Sequence, residues 1–186
     1  SLFFAANDGR NGAELWITDG KQKGTELVAD IQPGEGSSSP SDLLVQNNSL
    51  YMAADDGLRG RELWRYDLKT DQAALVHDIR PGSRIGSNPS ELTALNGNII
   101  FAAEGNSYGR ELWSSDGTKS GTKMMLDINP GTLDSDPEDF SFLQGDLYFT
   151  GNTYLYGRQI LKLDGSGLNV TEIQGSLGEA KATEPD

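Results

Sequence analysis

The sequence predicts an all-β protein, a β-propeller of four-stranded blades with repeats of 48–49 residues. All three tryptophans, Trp16, Trp64 and Trp113, lie in the tripeptide Glu-Leu-Trp at this spacing. Short apolar runs also alternate with Gly, Pro and Asn turns, and no helical periodicity interrupts them. The alternatives are a β-solenoid or a sandwich. Strands that are apolar on both faces favour blades packed face to face.

Four repeat units divide the chain. A propeller-like repeat domain is predicted over 1–173, followed by a polar tail at 174–186; its units are 2–49, 50–98, 99–146 and 147–173. About four blades are therefore expected. The first unit starts at the second strand of a blade, as a processed or excised segment would, so its innermost strand is missing. The chain is therefore expected to form either a four-bladed ring with an irregular closure or part of a larger propeller, and we favour the second.

One blade, built from the last strand of unit two and the first three strands of unit three, illustrates the order of strands. From the channel outwards we predict "SELTAL", "IIFAAE", "GRELWSS" and "TKMMLDI". Tight hairpins between the first two strands are predicted at Asn47-Asn48, Asn96-Gly97 and Gln144-Gly145. Tight hairpins between the last two are predicted at Asp19-Gly20, Asp116-Gly117 and Asp164-Gly165, because Gly tolerates positive φ. Pro-Gly loops such as "RPGSRIGSNPS" are the predicted crossovers between blades.

One long motif resembles a known repeat. The string "GRELWSSDGTKSGTKMMLDINPG" is similar to the ELWxxDGT repeat (hyalin-like) of bacterial surface and secreted proteins. Unit one repeats it with Lys21 in place of Thr, unit two loses the Asp-Gly-Thr turn, and unit four retains only Asp164-Gly165. The resemblance covers nearly the whole chain through Ile173. It implies an extracellular or periplasmic repeat protein, often within a larger polypeptide, with no enzymatic activity to carry over.

Composition excludes several classes of partner and site. A formal net charge of -13 argues against nucleic acid or an anionic membrane surface. The absence of Cys excludes disulfides, thiolate nucleophiles and Cys-based metal sites. No apolar run approaches the roughly 20 residues that cross a bilayer, so no membrane insertion is expected. The single histidine, His77, has no partner imidazole.

The Glu-Leu-Trp strand has a functional and a structural interpretation. Its tryptophans form either an aromatic platform for sugars or the contact between blades, and we favour the structural repeat core. The glutamates before them are expected to bond to turn amides or basic neighbours rather than act as acid or base. They are Glu14, Glu62 and Glu111, with Gln159 in unit four.

Three arginines recur just before this strand, namely Arg61, Arg110 and Arg158. Sialidases, which are also propellers, gather three arginines around one carboxylate. Repeat-equivalent positions would instead spread these arginines around the ring at equal radius. We therefore expect surface ion pairs.

Two acidic sets are candidate binding sites. Asp134, Asp136, Glu138 and Asp139 supply alternating hard oxygens, which suit Ca²⁺, so calcium is the one cofactor considered. This set lacks the Gly and the distal bidentate Glu of an EF-hand loop. Asp42, Glu91 and Asp139 follow a Pro at the start of each innermost strand and are predicted to ring one mouth of the central channel. Such a ring would hold a cation or a basic peptide.

Two sequons, at Asn47 and Asn169, match the N-glycosylation pattern and matter only in a secreting eukaryote. The predicted function is a non-enzymatic extracellular, cell-surface or periplasmic repeat module for adhesion or protein assembly, as a subunit or segment of a larger structure. Its partners would be other proteins or surface glycans. The alternative is a carbohydrate-binding or glycan-processing propeller. Hydrolysis needs two carboxylates facing each other in one pocket, whereas these recur once per blade.

Overall fold

The computed structural model describes residues 1–82, 84–166 and 170–173, which form four antiparallel sheets. Asn169 and the predicted tail at 174–186 lie outside these ranges. Blade 1 contains β1 (Leu2–Asn7), β2 (Ala13–Thr18) and β3 (Glu26–Ala29). Blade 2 contains β4 (Ser41–Gln46), β5 (Ser49–Asp55), β6 (Arg61–Asp67) and β7 (Gln72–His77). Blade 3 contains β8 (Ser90–Leu95), β9 (Asn98–Glu104), β10 (Arg110–Ser115) and β11 (Lys123–Leu126). Blade 4 contains β12 (Glu138–Leu143), β13 (Asp146–Thr153), β14 (Gly157–Leu163) and β15 (Val170–Glu172).

The order of strands confirms the predicted blade. Blades 2, 3 and 4 are four-stranded meanders in which each strand pairs with the next one in the chain. Within the described residues blade 1 has three strands, and β1 stands at its edge where the other blades pair with an innermost strand. The innermost strands of blades 2 and 3, β4 and β8, lie next to each other. The described residues therefore form a β-propeller array whose first blade shows no innermost strand among them.

The hairpin predictions were right between the first and second strands of a blade, and wrong between the last two strands in units one and three. Two-residue loops with positive φ at both residues join the first and second strands at Asn47-Asn48, Asn96-Gly97 and Gln144-Gly145. The Asp-Gly pairs in units one and three are not two-residue hairpins, because seven residues separate β2 from β3 and β10 from β11. The Asp19 carboxylate accepts a hydrogen bond from the Lys21 N–H and fills the space beside Gly24, where a Cβ would come within 2.2 Å of it. Asp19, Gly20 and Gly24 therefore belong to one longer loop.

Three apolar cores lie between consecutive blades. The largest side chains between blades 1 and 2 are Leu15, Leu50, Met52 and Tyr66, and Phe3 packs against them. Between blades 2 and 3 lie Tyr51, Leu63, Ile99, Phe101 and Trp113, and between blades 3 and 4 lie Ile100, Leu112, Leu147, Phe149, Leu161 and Leu163. Every residue of β5 from Ser49 to Ala54 is buried, as the apolar character of both faces predicts. Face-to-face packing of the sheets is thus the main source of stability.

One end of the blades carries the crossovers between blades and the loops between second and third strands. We call this end the loop face; it comprises residues 8–12, 30–40, 56–60, 78–82, 84–89, 105–109, 127–137 and 154–156. In the described part of the chain, no helix is long and apolar enough to cross a membrane.

Candidate functional site

Each crossover between blades is fastened by a buried glutamate and a buried serine. Glu62 on β6 is completely buried, and its carboxylate accepts hydrogen bonds from the Ile79 N–H at 3.1 Å and from the Ser87 N–H at 2.9 Å. The hydroxyl of Ser87 donates to the same carboxylate. The Ser87 carbonyl then accepts from the Glu104 N–H of blade 3 at 2.8 Å. The serine therefore joins one blade to the next.

The same clamp recurs at the other two crossovers. Glu14 accepts from the Ile31 N–H and the Ser38 N–H, both at 2.8 Å, and Glu111 accepts from the Ile128 N–H at 2.8 Å and the Ser135 N–H at 3.2 Å. All of these glutamates and serines are 0% exposed. Burial raises the pKa of Glu111 to about 7, although the Ser135 hydroxyl and the Ile128 amide oppose the shift. These carboxylates agree with the predicted bonding to turn amides and are closed to a substrate.

Glycine allows the crossover to lie directly on the Glu-Leu-Trp strand. Gly60 has φ +79°, and a Cβ there would come within 2.4 Å of the Gly86 nitrogen. A Cβ at Gly12 would likewise meet the Gly36 carbonyl, and one at Gly109 the Leu133 carbonyl. The glycine before each strand is therefore required by backbone contact.

The recurrent arginines cross their own blade to the start of its innermost strand. Arg61 donates to the Ser39 carbonyl at 2.7 Å and to the Ser41 hydroxyl. Arg110 donates to the Asn88 carbonyl at 2.8 Å and to the Ser90 hydroxyl at 2.6 Å. Of these three arginines, Arg158 is the one with an ion pair to another described residue, Glu138 at 2.7 Å. The expected surface ion pairs are therefore wrong for Arg61 and Arg110, because a serine occupies the position that Glu138 has in blade 4.

The predicted channel-mouth acids lie at equivalent positions on the innermost strands. Asp42, Glu91 and Asp139 all have positive φ, between 54° and 61°, at a bulge in β4, β8 and β12. The Asp42 carboxylate accepts from the Glu91 N–H at 3.0 Å, and the Glu91 carboxylate accepts from the Phe140 N–H at 3.3 Å. Asp139 instead accepts from the Thr150 hydroxyl. The first two acids thus join neighbouring innermost strands, which gives them a structural role whether or not the ring binds a ligand.

The calcium set is divided among separate partners. Asp134 accepts from the Arg110 N–H at 2.7 Å, Glu138 pairs with Arg158, and Asp139 bonds to Thr150. Burial and the charge of Asp134 raise the pKa of Asp136. In the ranges that the structure describes, no three His, Asp or Glu side chains are grouped as a metal ion would require. Calcium binding stays a prediction; a saturable heat in calorimetry that Asp136→Ala removes would support it, and no heat with the parent chain would refute it.

The tryptophans are not equally covered. Trp113 is 9% exposed within the core between blades 2 and 3, and Trp64 packs against the core between blades 1 and 2. Trp16 is half-buried on the side of blade 1 that faces away from blade 2. A core role therefore describes Trp64 and Trp113, whereas Trp16 lies on an open blade face.

The loop face also carries cavities and apolar side chains that motif analysis did not find. Seven of the twelve large hydrophobic side chains that are exposed in the described residues lie there: Leu58, Ile85, Tyr108, Leu133, Tyr154, Leu155 and Tyr156. A cavity of about 600 Å³ lies beside the crossover from blade 2 to blade 3 and contains Arg80 and Arg84. One feature of the sequence could have indicated this cavity. The crossover from blade 2 to blade 3 is one residue longer than the other two, and it carries two arginines in an acidic chain.

The fold and these loops define a β-propeller, and solved structures agree. Puromycin hydrolase is similar at 16% identity and a TM-score of 0.64, over 98% of this chain and 28% of that one. TolB from Acinetobacter baumannii is similar at 16% identity and a TM-score of 0.56, over 94% and 41%. Prolyl oligopeptidase B from Galerina marginata is similar at 10% identity and a TM-score of 0.58, over 91% and 24%.

The chain therefore spans between a quarter and two fifths of these proteins' length. At such identities the likeness shows the fold alone. No family model and no curated protein matches the sequence.

Proposed function

We propose that the chain is a non-enzymatic extracellular, cell-surface or periplasmic module that serves adhesion or protein assembly as a segment of a larger structure. The observation that supports this proposal is the face of blade 1 that points away from blade 2, which no other blade of the described residues covers. The expected location rests on the resemblance to ELWxxDGT repeats. The burial of Glu14, Glu62 and Glu111 supports a non-enzymatic role, because it leaves the recurrent carboxylates no access to a substrate.

Blade 1 presents the surface that the other blades bury. Pairing in register places Leu2, Phe4, Ala6 and Trp16 on the side of the sheet opposite to Phe3 and Leu15, which pack on blade 2. Leu2 is 64% exposed, whereas its repeat equivalents Leu50, Ile99 and Leu147 are at most 1% exposed. An apolar sheet face of this kind is stabilised when another sheet covers it.

Blade 4 offers the complementary surface. On its side away from blade 3, half-buried side chains repeat the chemistry with which blade 2 packs on blade 3. The four positions are Tyr148, Thr150, Ile160 and Lys162 on blade 4, and Tyr51, Ala53, Leu63 and Arg65 on blade 2. A further blade of the same kind, on a second copy of this chain or on another repeat array, would fit between these surfaces. This is a head-to-tail contact, which extends an array rather than pairing two identical patches.

The edge of blade 1 adds a second binding element. Among the strands of the described residues, β1 pairs with β2 alone, whereas the equivalent strands β5, β9 and β13 pair on both sides. An exposed edge strand is a template for pairing with another strand. A further blade that docks here can therefore pack on the apolar face of blade 1 and also form backbone hydrogen bonds with β1.

Sedimentation velocity over a range of concentrations tests the proposal. We expect the mass of the parent chain to rise with concentration, and Phe4→Asp to remain monomeric because a charge would be buried in the contact. Val45→Asp is the matched control, because Val45 is 58% exposed on an innermost strand away from that face; it should associate like the parent. A parent chain that stays monomeric at every concentration, or a Phe4→Asp variant that still associates, would contradict the proposal.

A further inference from the structure

The cavity on the loop face between blades 2 and 3 has the dimensions of a small-molecule site. Its volume is about 600 Å³, inside the range of roughly 300–1,000 Å³ that ligand pockets occupy. Its charged walls are Arg61, Arg80 and Arg84 together with Asp55 and Glu104. It lies away from the open faces of blades 1 and 4, so it is independent of the assembly contact.

The charge of this cavity is opposite to that of the chain. Three guanidinium groups face two carboxylates there, whereas the whole chain has a formal net charge of -13. A local excess of one positive charge favours a ligand with a single negative charge. Basic groups placed together in an acidic chain are not explained by solubility.

The three arginines differ in the partners that their guanidinium groups already have. Arg61 is held by Ser39 and Ser41, and Arg80 forms an ion pair with Glu104. Arg84 is exposed, and within the described residues its guanidinium has neither a hydrogen bond nor an ion pair. It is the cation available to an incoming anion, with Arg80 in the same cavity.

The repeat does not require these two arginines. The positions equivalent to Arg80 are Gln32 and Asn129, and Arg84 lies in the one crossover that is longer than the others. Two backbone hydrogen bonds hold the part of this loop from Arg84 onwards: the Arg84 N–H donates to the Leu58 carbonyl at 3.0 Å, and the Asn88 N–H donates to the Arg61 carbonyl at 3.0 Å. Arginine side chains that the repeat does not require, on a surface loop of the fold, indicate a binding role.

The remaining walls suit hydroxyl groups. Asp55 and Glu104 provide acceptors, Asn88 provides both a donor and an acceptor, and Ser37 and Ser39 line the same cavity. Carboxylates in the wall would repel a multiply charged phosphate. Their acceptor oxygens are instead matched by the hydroxyl groups of a sugar.

We propose that this cavity binds a carboxylated sugar, either a uronic acid or a sialic acid, whose carboxylate bonds to Arg84 and Arg80. Guanidinium and carboxylate form paired, charge-assisted hydrogen bonds. The hydroxyl groups of the ring donate to Asp55 and Glu104. The two sources share this chemistry, and separate titrations distinguish them.

Titration calorimetry with glucuronate and with N-acetylneuraminate tests the proposal, with glucose and inorganic phosphate as comparison ligands. We expect saturable binding of at least one acidic sugar, weakened by added salt, and a loss of roughly tenfold or more in Arg84→Gln. Arg10→Gln is the matched control, an exposed arginine on the loop face in a different cavity, and it should bind like the parent.

Several outcomes would overturn the proposal. They are no saturable heat with either acidic sugar, glucose binding equal to theirs, phosphate binding tighter than theirs, or unchanged affinity in Arg84→Gln. The melting temperature of Arg84→Gln is measured first. Should it fall, Arg84→Lys replaces it, because Lys keeps the charge and loses the paired hydrogen bonds, so a weakened affinity is again expected.

Discussion

The clamp at Glu111 predicts a specific dependence of stability on pH. The carboxyl is completely buried, and its pKa rises from 4.5 to about 7 on folding, mainly because burial disfavours the charged form. Between these two values the folded chain binds more protons at this site than the unfolded chain does. The free energy of unfolding therefore falls as pH rises through this window and levels off above it. At about 1.4 kcal/mol per pH unit, the contribution lost is roughly 3 kcal/mol.

The variant Glu111→Gln isolates this contribution, because Gln does not titrate. Urea unfolding followed by tryptophan fluorescence at pH values from 4 to 8 gives the free energy of unfolding of both proteins. We expect the parent to lose about 3 kcal/mol relative to Glu111→Gln across this range. The exposed Glu35→Gln is the matched control and should show no such trend. A difference that stays flat, or that grows in favour of the parent as pH rises, would refute this reasoning; the three hydrogen bonds to the carboxylate would then outweigh its desolvation.

Two further predictions concern packing. Trp113→Ala should lower the free energy of unfolding by about 3–5 kcal/mol, whereas Trp16→Ala on the open face should cost clearly less; equal losses in urea unfolding would mean that blade 1 is covered. Gly60→Ala should cost several times more than Gly97→Ala, because a Cβ at Gly60 meets the Gly86 backbone at 2.4 Å while nothing lies within 4 Å of one at Gly97. Both glycines have positive φ, so the two variants carry the same kind of backbone strain. The difference between their melting temperatures therefore reports the steric contact at Gly60.

Sequence periodicity was sufficient for the order of strands. The spacing of Trp16, Trp64 and Trp113, with Asn-Gly chemistry between strands, gave β8 to β11 in the correct order and blade 1 without its innermost strand. These features depend on local turn preference and on the period of the side chains, both of which are visible in a single sequence. The hairpins predicted at Asp19-Gly20 and Asp116-Gly117 were wrong because Gly24 and Gly121, five residues after each Asp, take part in the same loops. The loop after Asp164-Gly165 includes residues outside the described ranges, so that hairpin stays a prediction.

The partners of long-range hydrogen bonds could not be predicted from local pattern. Glu62 bonds to Ser87, 25 residues away, and local turn preference carries no information about that distance. A usable signal existed, because Ser38, Ser87 and Ser135 each stand two residues before a Pro. The cavity could not be predicted from the repeat, because Arg80 and Arg84 belong to one crossover and do not recur in the others.

A disulfide test addresses the assembly proposal most directly. The chain has no Cys, so Leu2→Cys and Tyr148→Cys can be introduced together on the open faces of blades 1 and 4. In the core between blades 3 and 4, Ile100, equivalent to Tyr148, lies with Leu147, equivalent to Leu2. Head-to-tail packing predicts a ladder of covalent oligomers on oxidation of the double variant, and at most dimers from either single variant. Oxidation that yields only monomers, whether unlinked or closed by an internal disulfide, would contradict the account.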